Sequence, residues 1–284
     1  MKFLGEDLFK EKVLPEPLSK TFLDWGWIRS FADMITKNYS DLPPLRVDLA
    51  KHLADTRAYI ERMAERPAEE MAEFFTVRGD GYDEHMTQFA ACHEVTAAHI
   101  PADCGYLLDL GCGSGLELDA LDRICKAEGR AFPRVLGVDM TKALVDQLFA
   151  KHPDKDIAVT MGSYFDVPFG TEKFDCAVSV QSIHHFSLDE KLPLFRKVWD
   201  ALKPGGVFLQ CDYFAACEEE VEMMEEHWRI RRAMNREIGE GDFVHVDRPK
   251  MAYDEAAVLE KAGFAEVLYC SVGIEGTVLL IAKK

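Results

Sequence analysis

Two acids and three glycines carry the clearest chemistry in this chain. Residues 107–115 read LLDLGCGSG, an apolar run with Asp109 at its end and then Gly111, Gly113 and Gly115, each separated by one residue. An apolar strand that ends in an acid and breaks into a glycine loop is the form of a nucleotide-cofactor site. Glycines without Cβ atoms let backbone approach a ligand and turn through positive φ. Asp109, beside amides freed by that turn, can hold a cationic ammonium group. One helix later a second run, RVLGVD, ends in Asp139, where a carboxylate can accept both hydroxyls of a ribose. Met140 follows it and is placed to lie on an adenine face, and Thr141 can cap the next helix.

Leu116 stands where a GxGxxG pattern would have its last glycine. That departure favours S-adenosylmethionine (SAM) over a dinucleotide, because SAM has no pyrophosphate to seat on a helix N-terminus.

Positioning these groups requires a parallel sheet. Leu107, Leu108 and Leu110 suit a strand buried on both faces. Further strands are expected at 134–139, 157–161 (IAVTM), 174–180 (FDCAVSV) and in VFLQCDYF after LKPGG. Amphipathic helices are expected after the glycine loop, at about 188–202, at about 217–238 and at 253–262. The ordered set LDLGCGSG, GVD, GSYFDVPF, FDCAVSVQSIHHF and LKPGG resembles class I SAM-dependent methyltransferases of the small-molecule type over about residues 75–284. The resemblance implies an α/β fold with a seven-stranded, mostly parallel Rossmann-like sheet and helices on both faces.

Carried over residue by residue, the resemblance assigns Asp109, Gly111, Cys112, Gly113 and Gly115 to the methionine end of the cofactor and Asp139 to the ribose. It assigns Ser163 and Tyr164 to the flanks of the adenine, with Asp166 as the alternative contact for the adenine amino group. Gln181 would meet the ammonium through its carbonyl. Tyr82, in GYDEHM, would close over the methionine half; the alternative is that Asp83 caps a helix and Tyr82 packs.

Two segments flank this body. Residues 1–74 are expected to be an all-helical extension: apolar residues recur at helical spacing from Leu18 through Trp25 to Ile35 and again from Leu45 to Met63, and Pro67 marks a third helix. The extension would serve as a lid and possible dimer contact, with Trp25 and Trp27 able to reach substrate. The second segment, about 212–250, would be a helical lid inserted after the fifth strand, on the side where open α/β sheets bind ligands. Its Asp212, Tyr213, His245 and Asp247 are candidate polar groups for an acceptor. His184 and His185 invite a metal or general-base reading. No neighbouring Asp, Glu or Cys spacing completes a metal site, so no metal is expected. The weak candidates for a catalytic base are His184, His185, Tyr213 and His245.

Composition narrows the partners. A net charge of −17 opposes binding to a phosphate backbone or an anionic membrane, which needs clustered Lys and Arg. Eight cysteines form no CxxC, and no apolar run approaches about 18 residues, so reduced thiols, a cytoplasmic location and no structural zinc are expected. The reading is therefore a methyltransferase with a small-molecule acceptor. The alternatives are a macromolecular acceptor and a SAM-binding regulator without transfer activity.

Overall fold

The structure is a computed structural model and describes residues 2–3, 48–239, 242–272, 274 and 276–284. Its centre is β2 (Tyr106–Leu110), where Leu107, Leu108 and Leu110 are fully buried. Each buried leucine contributes about 1.5–3 kcal/mol relative to exposure. Parallel to β2 lie β3 (Arg134–Asp139) and then β4 (Ile157–Met161) on one side, and β5 (Phe174–Val180) and then β6 (Leu202–Tyr213) on the other. The chain builds outward from β2 to β4, then crosses back to β5. The gap between the ends of β2 and β5 is thus the switch point where such sheets bind ligands.

β7 (Glu266–Ser271) and β8 (Thr277–Lys283) complete the seven strands, with β8 antiparallel to both β6 and β7. A two-residue strand, β1 (Lys2–Phe3), adds in parallel to β7 at the sheet edge. The N-terminal segment is therefore not wholly helical. Its expected helix over 18–35, with Trp25 and Trp27, and any dimer contact there lie outside the described residues.

Helices cover both faces of the sheet. α1 (Leu49–Met63) fits its apolar spacing, although among its residues only Leu53 is buried. Pro67 does not open a helix. Glu70, itself extended, caps α2 (Met71–Arg78) by accepting from the amide of Glu73. α3 (Tyr82–Met86) leads through a 3₁₀ turn at Thr87–Phe89 into α4 (Ala90–His99). α5 (Leu116–Glu128) follows the glycine loop, α6 (Lys142–Lys151) follows β3, and α7 (Leu188–Ala201) precedes β6. LKPGG begins β6 rather than forming a separate loop, and the register shifts between Phe174 and Cys176 to absorb it.

The insertion after β6 holds α8 (Glu218–Met234), and the chain returns to the sheet through α9 (Ala252–Ala262). The insertion and the N-terminal segment grip each other. The amide of His245 donates to the Glu69 carbonyl, that of Met71 to the Phe243 carbonyl, and Arg231 donates to the carbonyls of Arg66 and Pro67. His52 on α1 meets the buried Glu220 on α8 at 2.8 Å. These bonds hold α2 over the carboxyl ends of the strands.

Candidate active site

Three left-handed glycines shape the loop after β2: Gly111 at φ 75°, Gly113 at φ 45° and Gly115 at φ 78°. Gly111 also needs its missing Cβ, which would lie 2.3 Å from Ser182 Oγ on the loop after β5. The Gly113 amide donates to Asp139 Oδ2 at 2.8 Å, and the Thr141 amide donates to Oδ1 at 2.7 Å. The Asp139 carboxylate thus fastens the loop after β2 to the loop after β3. Burial raises its pKa above the usual carboxylate range, against the opposing pull of those amides.

Above these loops lies a cleft bordered by the loops after β2, β3, β4 and β5. Tyr82, Gly111, Gly113, Asp139, Met140, Ser163, Tyr164 and Gln181 all line it. Tyr82 enters from α3, edge-on to Phe75 at 6.0 Å. Asp83 does not cap that helix, whose N-cap is Gly81; it accepts from Ser114 Oγ in the glycine loop at 2.5 Å. Gln181 has a positive φ of 51°, a strain uncommon outside glycine and concentrated at functional positions.

Four assigned positions sit elsewhere. Cys112 turns its thiol into the core against Gly137, whose own missing Cβ would lie 2.6 Å from that sulfur, so only the Cys112 backbone faces the loop's ligand side. Gly115 packs on Leu148, and Asp166 is exposed outside the lining. Asp109 lies beneath the loop, buried beside Glu117 on α5. Burial and the neighbouring Glu117 push the Asp109 carboxyl well above its usual range. Burial opposes ionisation of Glu117 too, yet a hydrogen bond with His93 brings its pKa below the usual value.

Asp109 and Glu117 are buried together beneath the glycine cradle and hydrogen-bond each other through a proton held on Asp109. Such an acidic pair fits a cationic amino group bound above it.

Ser163 and Tyr164, expected to flank the adenine, both border the cleft and also brace its loops. Tyr164 is buried, and its hydroxyl donates to the Ser182 carbonyl at 3.2 Å, bracing the loop that Gly111 approaches. Ser163 Oγ accepts from the Phe165 amide at 3.1 Å. Sequence reasoning missed Ser182, Phe75, Met71 and Phe243 as wall residues. The only sequence signal for Glu117 was a charged residue in the first turn of an otherwise apolar-faced helix.

A second, wider chamber adjoins the cleft and shares Phe75, Tyr82, Gln181 and His185 with it. His184, His185, Tyr213 and His245, the four candidate bases, all line this chamber, and so does Asp247. His184 Nδ1 bonds Asp212 Oδ1 at 2.5 Å, and its Nε2 faces Asp247 Oδ1 at 3.3 Å. Burial works against its charge, but the two carboxylates outweigh it and raise its pKa to about 10. Burial, and then the positive charge of His184, push His185 well below its usual range. His245 stacks on Phe74 with centroids 3.5 Å apart, and burial takes its pKa down to about 4. Tyr213 turns its hydroxyl to the buried carboxylate of Glu220.

Behind Asp212 a buried polar chain runs into the fold. Gln210 Nε2 bonds Asp212 Oδ2 at 3.3 Å and Glu255 Oε1 at 2.5 Å, and Lys191 Nζ closes on Glu255 Oε2 at 2.6 Å.

Comparison with known proteins agrees with this geometry. Residues 108–210 match the family described as Methyltransferase domain. The cypemycin N-terminal methyltransferase of a Streptomyces species is 38% identical over 120 residues, 40% of this chain and 45% of that protein. The carboxy-S-adenosyl-L-methionine synthase of Wolinella succinogenes is 28% identical over 187 residues, 60% of this chain and 72% of that protein. A putative O-methyltransferase from Nostoc punctiforme shares the fold at a TM-score of 0.57 and 15% identity, over 99% of this chain and 89% of that one. The match to the cypemycin enzyme thus spans less than half of its length.

The chain has a Rossmann-like α/β fold, with the methyltransferase-domain match lying over residues 108–210. Among the described residues no helix is long and apolar enough to cross a membrane.

Proposed function

We propose that this protein transfers the methyl group of SAM to a small-molecule acceptor held in the histidine-lined chamber. The observation that carries the reading is the wall common to cleft and chamber: Phe75, Tyr82, Gln181 and His185 border both. A ligand in each would meet across those four side chains.

When bound, SAM supplies a methyl group already activated by its sulfonium, so the protein's work is to orient and to exclude water. Asp139, held by two amides, receives the ribose hydroxyls. The backbone of Gly111 and Gly113 would hold the methionine chain, and the buried Asp109–Glu117 pair would receive its ammonium. Tyr82 and Phe75 close the cleft from above, carried on helices that the insertion holds in place. A protonated acceptor needs a group to take its proton. His184 has both ring nitrogens engaged by carboxylates, Asp212 at Nδ1 and Asp247 at Nε2, so it is not free for that task. His185 is neutral and stands at the shared wall.

The relative named as the cypemycin N-terminal methyltransferase supports methyl transfer as the activity. Net acidity argues against a nucleic-acid acceptor. Calorimetric titration tests the cofactor half of the reading. S-adenosylhomocysteine is expected to bind once per chain in the micromolar range with no heat from NAD; NAD binding without S-adenosylhomocysteine binding contradicts it.

A further inference from the structure

The chamber's floor holds three groups that the sequence separates widely. His184 and His185 end the turn after β5, and Asp247 arrives from the end of the insertion, yet one ligand atom from each lies within 4.8 Å of the others. We propose that His184, His185 and Asp247 bind a zinc-class divalent cation, and that this cation holds the nucleophilic oxygen of a hydroxyl-bearing acceptor.

The separations suit such an ion. Asp247 Oδ1 lies 3.3 Å from His184 Nε2 and 3.4 Å from His185 Nδ1. Ligands at the usual ~2.0–2.1 Å from a tetrahedral zinc stand roughly 3.3–3.4 Å apart. The other contact of His185 Nδ1 is the Val246 carbonyl at 3.4 Å, too long for a good hydrogen bond. Coordination through Nδ1 forfeits little there.

An outer partner is already in place. Asp212 grips His184 Nδ1 and fixes the ring so that Nε2 points at Asp247. A carboxylate on the far nitrogen of a histidine is the arrangement that orients and strengthens metal-bound imidazoles. Asp212 is itself held by the Ile183 amide at 3.0 Å and by the Gln210–Glu255–Lys191 chain. Charge also balances, since two carboxylates with neutral imidazoles match one divalent cation.

Three protein ligands leave one position of a tetrahedron for a water or a substrate atom, the form of a catalytic rather than a structural zinc. All three ligand residues line the chamber, and His185 also belongs to the shared wall. The cation itself stands on the geometry alone, whereas its role in holding the acceptor rests on the methyl-transfer reading. In that role the hydroxyl, coordinated and acidified, gives its proton to solvent. The oxygen then bonds the methyl carbon while the sulfur keeps the electron pair of the broken bond.

The test uses the full chain, stripped with chelator and titrated with zinc against a chromophoric chelator, then with cobalt(II) followed by visible absorption. S-adenosylhomocysteine titration runs in parallel. One equivalent of zinc and a tetrahedral cobalt spectrum are expected. Asp247→Asn and His184→Gln should each bind at least about 10-fold more weakly, and Asp212→Asn roughly 10–100-fold more weakly, with S-adenosylhomocysteine affinity retained. Folded protein that binds S-adenosylhomocysteine but no zinc overturns the metal site and leaves the methyltransferase reading intact. Zinc binding undiminished in Asp247→Asn and His184→Gln overturns it equally. Zinc binding with the expected mutational losses but no S-adenosylhomocysteine binding upholds the site and sinks the cofactor reading instead.

Discussion

The main-chain amide of Gly113 donates to Asp139 Oδ2 at 2.8 Å, so the glycine loop and the second acid form one unit rather than two contacts. The other carboxylate oxygen accepts from Thr141. Replacing Asp139 by Ala removes the ribose acceptor and frees the loop together. S-adenosylhomocysteine affinity should fall by about 1.5–3 kcal/mol, the size of charge-assisted hydrogen bonds. Calorimetry checks this; unchanged affinity moves the ribose contact to another residue.

Gly111 faces Ser182 so closely that a methyl group does not fit, and its φ of 75° is one that L side chains rarely adopt. Gly111→Ala should destabilise the fold by roughly 1–3 kcal/mol, the cost of a non-glycine residue held in such a conformation, and lose cofactor binding. Adding Ser182→Gly removes the steric part and should recover some of the stability in urea unfolding. No recovery would place the whole cost on the backbone.

Much of the cleft was legible because its groups belong to short, contiguous runs. Asp109, the glycine loop and Asp139 mark strand ends, and strand ends in a parallel sheet meet at one edge. The direction of the Cys112 side chain is not legible from spacing: the loop turns it inward onto Gly137, a residue of another strand that spacing alone does not pair with it. The chamber was the least legible part. Asp247 reaches His184 only because the insertion folds back on residues 68–71, and no local pattern encodes that return. The sequence therefore offered two histidines without a third ligand, whereas the structure brings in Asp247. Tyr164 and Asp166 show a smaller limit, since a turn after β4 buries the first and exposes the second.

The Asp109–Glu117 pair predicts proton release. Burial beside Glu117 raises the Asp109 carboxyl above its unfolded value, so between the unfolded and the folded pKa the native state holds a proton that the unfolded chain has lost. Stability from this site therefore falls as pH climbs from the unfolded pKa to the folded one. A bound ammonium lowers the folded value and expels the proton. Binding enthalpy measured in buffers of different ionisation heat should reveal net release of up to one proton per cofactor. Asp109→Asn should abolish that release, weaken binding and raise the melting temperature of the ligand-free protein. A buffer-independent enthalpy for the unsubstituted chain would refute the shared-proton description.

The chain Lys191–Glu255–Gln210–Asp212 is fully buried, with Lys191 and Glu255 paired at 2.6 Å. Removing one partner leaves an uncompensated buried charge, which typically costs about 3–5 kcal/mol. Glu255→Ala should lower stability by that amount in denaturant titration. A double change of Lys191 to Met with Glu255 to Leu should recover most of it. Failure to recover would mean the pair is needed to hold Gln210 and Asp212 in place.

The central claim is methyl transfer to a small acceptor, and one measurement reaches it directly. The full chain is incubated with methyl-labelled SAM and a fractionated metabolite extract, and both label and S-adenosylhomocysteine are followed. The account predicts label in the small-molecule fraction, formed in step with S-adenosylhomocysteine and reduced at least tenfold in Asp139→Ala. Label confined to macromolecules, or firm SAM binding that never yields S-adenosylhomocysteine in any fraction, would contradict it.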